Sequence, residues 1–201
     1  MNSTKFADKG MIFLKKYKNY NHKEELLAHY GLETIYILIT KMLFITLVSI
    51  LIGITKEMYI FIIFYFFLRF YASGLHLSKS IHCTIMSTTI LIGFPLLAIY
   101  TNFALPIRLI INGIVICLFA FYSPADTIKK PLINYNKRIN LKIKSIMICF
   151  IYFILTLFIK SNFILNCITY SLILQTILIV PITYKTFNMP YNNYLNYKEK
   201  E

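Results

Sequence analysis

The sequence predicts an all-α, polytopic membrane protein, and three observations carry that reading. Of its 201 residues, 58% are hydrophobic and only 14% charged, whereas water-soluble domains run nearer half apolar and a quarter charged. The charged residues punctuate six charge-free runs: Met42 to Thr55, Met58 to Leu68, Ser80 to Ile107, Leu109 to Ala125, Ser145 to Ile159 and Ser161 to Tyr184. The formal net charge of +13 is also unevenly placed along the chain. A basic soluble nucleic-acid binder would gather Lys and Arg on one face of a domain; here they bracket apolar runs, so nucleic acid is not an expected partner.

A helix needs about 20 residues to cross the hydrocarbon core. The shorter runs therefore borrow flanking residues, with Lys41, Lys56 and Arg69 reaching toward head groups. Six spans are expected, near residues 34–55, 55–72, 83–101, 105–123, 144–160 and 163–184. The second is the weakest, because it is abruptly aromatic (Phe61, Phe64, Tyr65, Phe66, Phe67) and ends in Arg69; a re-entrant helix is the alternative there.

Basic residues in short loops set orientation. With the N-terminus cytoplasmic, the inside segments hold seventeen Lys and Arg against three outside, Lys56, Arg108 and Lys160. Both termini, the loop at 72–82 and the basic loop at 124–144 are thus expected at the cytoplasmic face. The whole chain, 1–201, reads as a single membrane domain: a cytoplasmic amphipathic segment at 1–32, a transmembrane bundle at 34–184 and a cytoplasmic tail at 185–201. The N-terminal segment lacks the short apolar core and cleavage site of a signal peptide. Phe6, Phe13 and Tyr17 recur at roughly helical spacing among lysines, as in a helix lying on an anionic inner leaflet. Asn21 and Glu24 have capping-box spacing and open a helix expected to stop at Gly31.

Four cysteines without an extracellular domain do not form a disulfide framework. Cys117, Cys149 and Cys167 fall inside spans, where a cysteine is most simply a small apolar residue. Cys83 differs, lying at the cytoplasmic edge of the third span with His76 and His82 within seven residues. A thiolate is the nucleophilic form of cysteine, and an imidazole or a helix N-terminus favours it. If Ser80 caps the third span, Cys83 sits in its first turn among amides that lack helical partners. On one straight helix, His76 and Cys83 would lie about 10 Å apart along the axis, too far for a proton transfer. A break near Gly74, among Ser73, Ser78 and Ser80, would let His76 fold back over the helix start. His82, one residue from Cys83, points about 100° away on a helix, so His76 is the preferred base. Ligand spacing for a metal is missing, and neither metal nor cofactor is expected.

A second segment runs Tyr122-Ser-Pro-Ala-Asp126-Thr127-Ile-Lys129-Lys130-Pro131-Leu132 and leads into Lys137 and Arg138. Asp126 is the only acid between Glu57 and Glu199. It reads equally as part of a membrane-exit turn, as an acid that orients an imidazole, or as part of a cytoplasmic surface for a peptide.

At these two segments the chain resembles the accessory gene regulator B (AgrB) family of quorum-sensing peptide-processing proteins. The first family pattern matches Arg69, Tyr71, Ser73-Gly74, His76 and Cys83; the second matches Pro124-Ala125-Asp126-Thr127, Lys129-Lys130 and Pro131-Leu132. Ser73 departs from the family, which usually has the first of two glycines there. The resemblance implies a membrane cysteine endopeptidase in the cell membrane of a Gram-positive bacterium. In it Cys83 is the nucleophile and His76 its base, acting on a precursor peptide of the AgrD type. It further implies release of an acidic C-terminal tail, an acyl group held on Cys83 as a thioester, closure of a thiolactone or lactone ring, and a homodimer. Arg69, Gly74 and Asp126 become supporting residues, and Lys129, Lys130, Lys137 and Arg138 a basic surface for the tail. The competing expectation is a small peptide exporter or permease, favoured by polar residues within spans, Asn112, Asn166 and Gln175.

Overall fold

A computed structural model describes residues 3–76, 80–127 and 131–200, apart from the side chains of residues 80–82 and 198–200. It resolves into two compact units, Met1–Gly53 and Ile54–Glu201.

The first unit is a helical hairpin of α1 (Ser3–Leu14) and α2 (His22–Ile52). Asn21 caps α2: its side chain accepts from the Glu24 amide at 3.1 Å, and the Glu24 carboxylate accepts from the Asn21 amide at 3.4 Å. The expected leaflet-bound segment is thereby one arm of a hairpin. Ala7 and Met11 are buried, Gly10 faces the Leu32 side chain closely enough that a Cβ would sit 2.7 Å from it, and Phe6 meets Tyr36 with centroids 5.1 Å apart. An Asp8–His29 hydrogen bond at 3.1 Å and a Lys15–Glu25 ion pair lie along the seam, while Phe13 and Tyr17 stay exposed.

Gly31 does not end α2, which runs on to Ile52. One glycine costs a helix interior about 1 kcal/mol, and the residues just beyond it, Leu32 and Tyr36, pack against Gly10 and Phe6 of α1. The terminator is Gly53, left-handed at φ 80°, with its amide returned to the last turn.

The second unit packs α3 (Thr55–Ala72), α4 (Ser80–Tyr100), α5 (Leu105–Tyr122) and α6 (Tyr135–Phe158) around α7 (Asn162–Ile179). Phe61, Leu68, Phe119, Cys149, Ile168, Leu172 and Ile179 form part of the shared core. Among the described residues, five helices are long and apolar enough to span a membrane: α2, α4, α5, α6 and α7. The chain is thus an all-α polytopic membrane protein. The second expected span, 55–72, is the helix α3, which is not among these five; its 18 residues include Lys56, Glu57 and Arg69.

Buried polar side chains tie the helices together where water cannot. Asn112 on α5 donates to Thr156 on α6 at 2.9 Å, and Tyr152 on α6 donates to the Phe64 carbonyl on α3 at 2.8 Å. Asn166 on α7 reaches the carbonyls of Ala98 and Thr101 at the end of α4.

The basic loop expected at 124–144 is shorter than that. Asn134 caps α6 by accepting from the Lys137 amide at 3.0 Å, so Lys137, Arg138, Lys142 and Lys144 ride on the first turns of that helix. The C-terminal residues are likewise structured: α8 (Pro181–Thr186) and a 3-10 segment (Asn193–Lys200) bring the chain back toward the end of α5.

Candidate functional site

The site is assembled where α3 stops. Its last turn places Arg69, and the chain leaves the helix at Ser73 with φ 56° and ψ −131°, followed by Gly74 at φ 114°. Two positive-φ residues in succession turn the chain out of the helix axis. The extended stretch that follows pairs with the segment after α5: Ser73 and Ala125 form a parallel bridge, Ala125 donates to the Ala72 carbonyl at 3.0 Å, and Gly74 donates to the Ala125 carbonyl at 2.9 Å. The two motifs singled out in the sequence are therefore hydrogen-bonded neighbours.

The end of α7 supplies a third support. The Leu178 carbonyl, one of the last carbonyls of that helix and so without an in-helix donor, accepts from the Leu75 amide at 2.9 Å. Arg69 closes the arrangement from inside, donating through Nη1 to the Ser73 carbonyl at 2.9 Å and through Nη2 to the Leu75 carbonyl at 2.6 Å. Gln175 of α7 donates to the same Ser73 carbonyl at 2.6 Å. Gly74 lies within this cradle, where a Cβ would sit 2.8 Å from Arg69 Nη1 and 2.8 Å from the Leu178 carbonyl oxygen.

His76 emerges from this fixed segment as an exposed side chain, and Cys83 sits in the first turn of α4, partly buried. Cys83 Sγ and His76 Nε2 are 4.0 Å apart. The residues seven apart in sequence thus meet because α3 ends at Ala72 and α4 begins anew at Ser80, so that His76 and Cys83 do not share one straight helix. The pocket beside them, about 60 Å³, is lined by Tyr65, Arg69, Leu75, Met86, Ile90 and Leu178 among others. Its walls are mainly apolar, and its size suits a few waters or one small group rather than a peptide.

The remaining candidates separate. Asp126 is nearly fully buried. One carboxylate oxygen accepts from the Asn193 amide at 2.9 Å and the Asn193 side chain at 3.3 Å, the other from the Tyr194 amide at 2.8 Å. Its backbone carbonyl takes the Tyr184 hydroxyl. These bonds join the segment after α5 to the C-terminal residues. Lys137 is exposed, and Arg138 lies against the rings of Tyr135 and Tyr194. Lys129, Lys130 and the His82 side chain lie outside the described residues.

Gln175 and Leu178 escape sequence reasoning as members of the site. Gln175 was visible only as a polar residue within a span, and a backbone carbonyl leaves no sequence signal.

A family model described as accessory gene regulator B matches residues 7–179, a range that holds both motifs. An AgrB-like protein of Clostridium acetobutylicum is 33% identical over 195 residues, covering 96% of this chain and 93% of the relative. An AgrB-like protein of Listeria innocua is 32% identical over 180 residues, 86% of this chain and 85% of the relative. One from Lactiplantibacillus plantarum is 27% identical over 180 residues, 89% of each chain. No solved structure is a significant match. With the family pattern running from α1 to the end of α7 and relatives aligned over most of their length, the chain belongs to the accessory gene regulator B family.

Proposed function

We propose that this protein is a cysteine endopeptidase of a Gram-positive cell membrane, acting in quorum sensing on an AgrD-like precursor peptide and joining part of it into a ring. The observation that carries the reading is the 4.0 Å approach of His76 Nε2 to Cys83 Sγ, made across two elements that the chain goes to some length to hold.

His76 takes the Cys83 thiol proton as the sulfur attacks the carbonyl carbon of the scissile peptide bond. The C–N bond breaks, the imidazolium returns its proton to the leaving amine, and the N-terminal part of the precursor remains as a thioester on Cys83. An internal thiol or hydroxyl of the precursor then attacks that thioester. A thiolactone or lactone forms and the Cys83 sulfur leaves with a proton returned through His76. Thioester exchange is nearly energy-neutral while hydrolysis is strongly downhill, so ring closure depends on excluding water. The apolar walls formed by Tyr65, Leu75, Met86, Ile90 and Leu178 supply such an environment. Amide groups of the first turn of α4 are the proposed donors to the oxyanion. Arg69 and Gly74 serve as supports of the segment that carries His76, and the Asp126 carboxylate holds the returning C-terminal segment. Lys129, Lys130 and Lys137 form the proposed basic surface for an acidic substrate tail, an attraction that added salt weakens.

The exporter reading draws less support, because Asn112, Asn166 and Gln175 each donate to another element of the bundle. The test is the purified protein in lipid with its precursor peptide, followed by intact mass. A covalent adduct with the mass of the N-terminal precursor fragment is expected, absent in Cys83→Ala and in His76→Ala. Cleavage that persists in Cys83→Ala sinks the proposal, and activity kept in His76→Ala but lost in His82→Ala reassigns the base.

A further inference from the structure

A second cleft of the same unit is larger than the one beside Cys83. About 310 Å³ in volume, it lies between the end of α5 and the start of α6 and is closed on one side by the returning C-terminal segment. Its lining includes Tyr122, Tyr135, Arg138, Lys142, Tyr191 and Tyr194.

Two cations therefore face one pocket, and no carboxylate lines it among the described residues. The nearby acid, Asp126, directs its oxygens to Asn193 and Tyr194. The Arg138 guanidinium is 3.8 Å from the Tyr194 ring centroid and 5.5 Å from that of Tyr135. Ring contacts of this kind cover the faces of a guanidinium and leave its N–H edges to bind in the plane. Buried Nη1 of Arg138 has no hydrogen-bond partner among the described residues, an expensive condition for a charged donor. A planar fork with a lysine beside it matches a phosphate, which accepts a bidentate pair from arginine and a point charge from lysine.

The source of that phosphate follows from where the pocket opens. α5 and α6 are both membrane-spanning in length and composition, and the pocket sits at the ends where the basic residues place the inner leaflet. Phe121, in the pocket wall, is 79% exposed, and Tyr135 63%; beside a lipid surface these are the residues that meet acyl chains and head groups. We propose that this cleft is a binding site for the head group of an anionic phospholipid of the inner leaflet, its phosphate held by Arg138 and Lys142 among the four tyrosines. Basic pockets between spans on the cytoplasmic side are the expected form of such sites. In this arrangement Arg138 serves the lipid and leaves Lys137, on the exposed side, to the peptide surface.

The test is native mass spectrometry of the full chain released from micelles holding phosphatidylglycerol and phosphatidylcholine in equal amounts. One phosphatidylglycerol per chain is expected to remain bound in preference to phosphatidylcholine. Loss of each charge should weaken retention roughly fivefold, so Lys142→Gln, which leaves the Arg138 stack in place, gives the smaller loss and Arg138→Gln with Lys142→Gln the larger. Equal retention of both lipids, or unchanged retention in the double variant, overturns the proposal. Displacement of the lipid by millimolar inorganic phosphate would make this a free-anion site, and displacement by a tetraglutamate peptide a peptide site; either result also overturns it.

Discussion

Arg69 of α3 and Gln175 of α7 converge on a single acceptor, the carbonyl oxygen of Ser73, at 2.9 and 2.6 Å. Two donors from different helices thus fix the residue three positions before the proposed base. Arg69 adds a second bond to Leu75, so its planar fork spans the turn from both ends.

Arg69→Lys keeps the charge and loses the fork. A lysine ammonium is a compact point charge that cannot match the separation of two carbonyls held by a guanidinium. Acylation of Cys83 by precursor is expected to fall roughly tenfold, the consequence of about 1.4 kcal/mol of misplacement. Gln175→Leu, which removes one neutral donor worth about 1 kcal/mol, should cost less. If both variants acylate at the wild-type rate, these contacts do not position His76.

Ser73 and Gly74 give opposite predictions one residue apart. Ser73 holds φ 56° with ψ −131°, a region that glycine enters freely and other residues enter at a cost of about 1–3 kcal/mol. Ser73→Gly should therefore raise the apparent melting temperature by roughly 2–4 °C for each kcal/mol relieved. Gly74→Ala should lower it and abolish acylation, since its Cβ would press on the Leu178 carbonyl oxygen at 2.8 Å as well as on a side chain. A Ser73→Gly protein that melts below wild type would show that the serine side chain contributes more than its backbone costs.

What the sequence reveals depends on whether a residue acts through its own chemistry or through something the chain leaves unmarked. His76 and Cys83 stand out because few residue types carry that reactivity, and the need for a break at Gly74 follows from helix rise alone. The supports are harder to see. Leu75 is held by a backbone carbonyl of Leu178, 103 residues away, and Asp126 by backbone amides of Asn193 and Tyr194, partners that any side chain could accompany. Gly31 misleads for a related reason: composition marks it as a helix end, but packing of α1 on Leu32 and Tyr36 of α2 carries the helix through it.

The N-terminal hairpin has a pH dependence of definite sign. Hydrogen bonding to Lys18, then to the Asn21 amide, with the Lys18 charge adding to both, holds the exposed Glu24 carboxyl below its ordinary value of 4.5. A carboxyl depressed on folding stabilises the fold above its unfolded value, and that contribution is lost as pH falls through the folded value. Amide exchange at residues 22–25 is expected to quicken at pH 3 relative to the chemical rate, and Asn21→Ala should reproduce the effect at pH 7. Equal protection at both pH values in the wild type would mean that the capping box does not hold the start of α2.

Asp126→Asn tests whether the returning C-terminal segment depends on a carboxylate. Asp126 accepts three N–H bonds through two oxygens, and an amide side chain must turn an NH2 toward one of those donors. Hydrogen bonds to a buried charge contribute about 1.5–3 kcal/mol each, and here they hold the backbone of Asn193 and Tyr194, beside the ring contacts of Tyr191 with Tyr184 and of Tyr194 with Arg138. Two nearby bonds survive the substitution, because the Tyr184 hydroxyl and the Gly74 amide both bind backbone carbonyls, those of Asp126 and Ala125. The segment carrying His76 should therefore keep its place while residues 188–197 are released. The expected outcome is faster tryptic cleavage at Lys185 with little change in Cys83 acylation. Loss of acylation at an unchanged cleavage rate would instead assign Asp126 to His76 and remove it from the C-terminal segment.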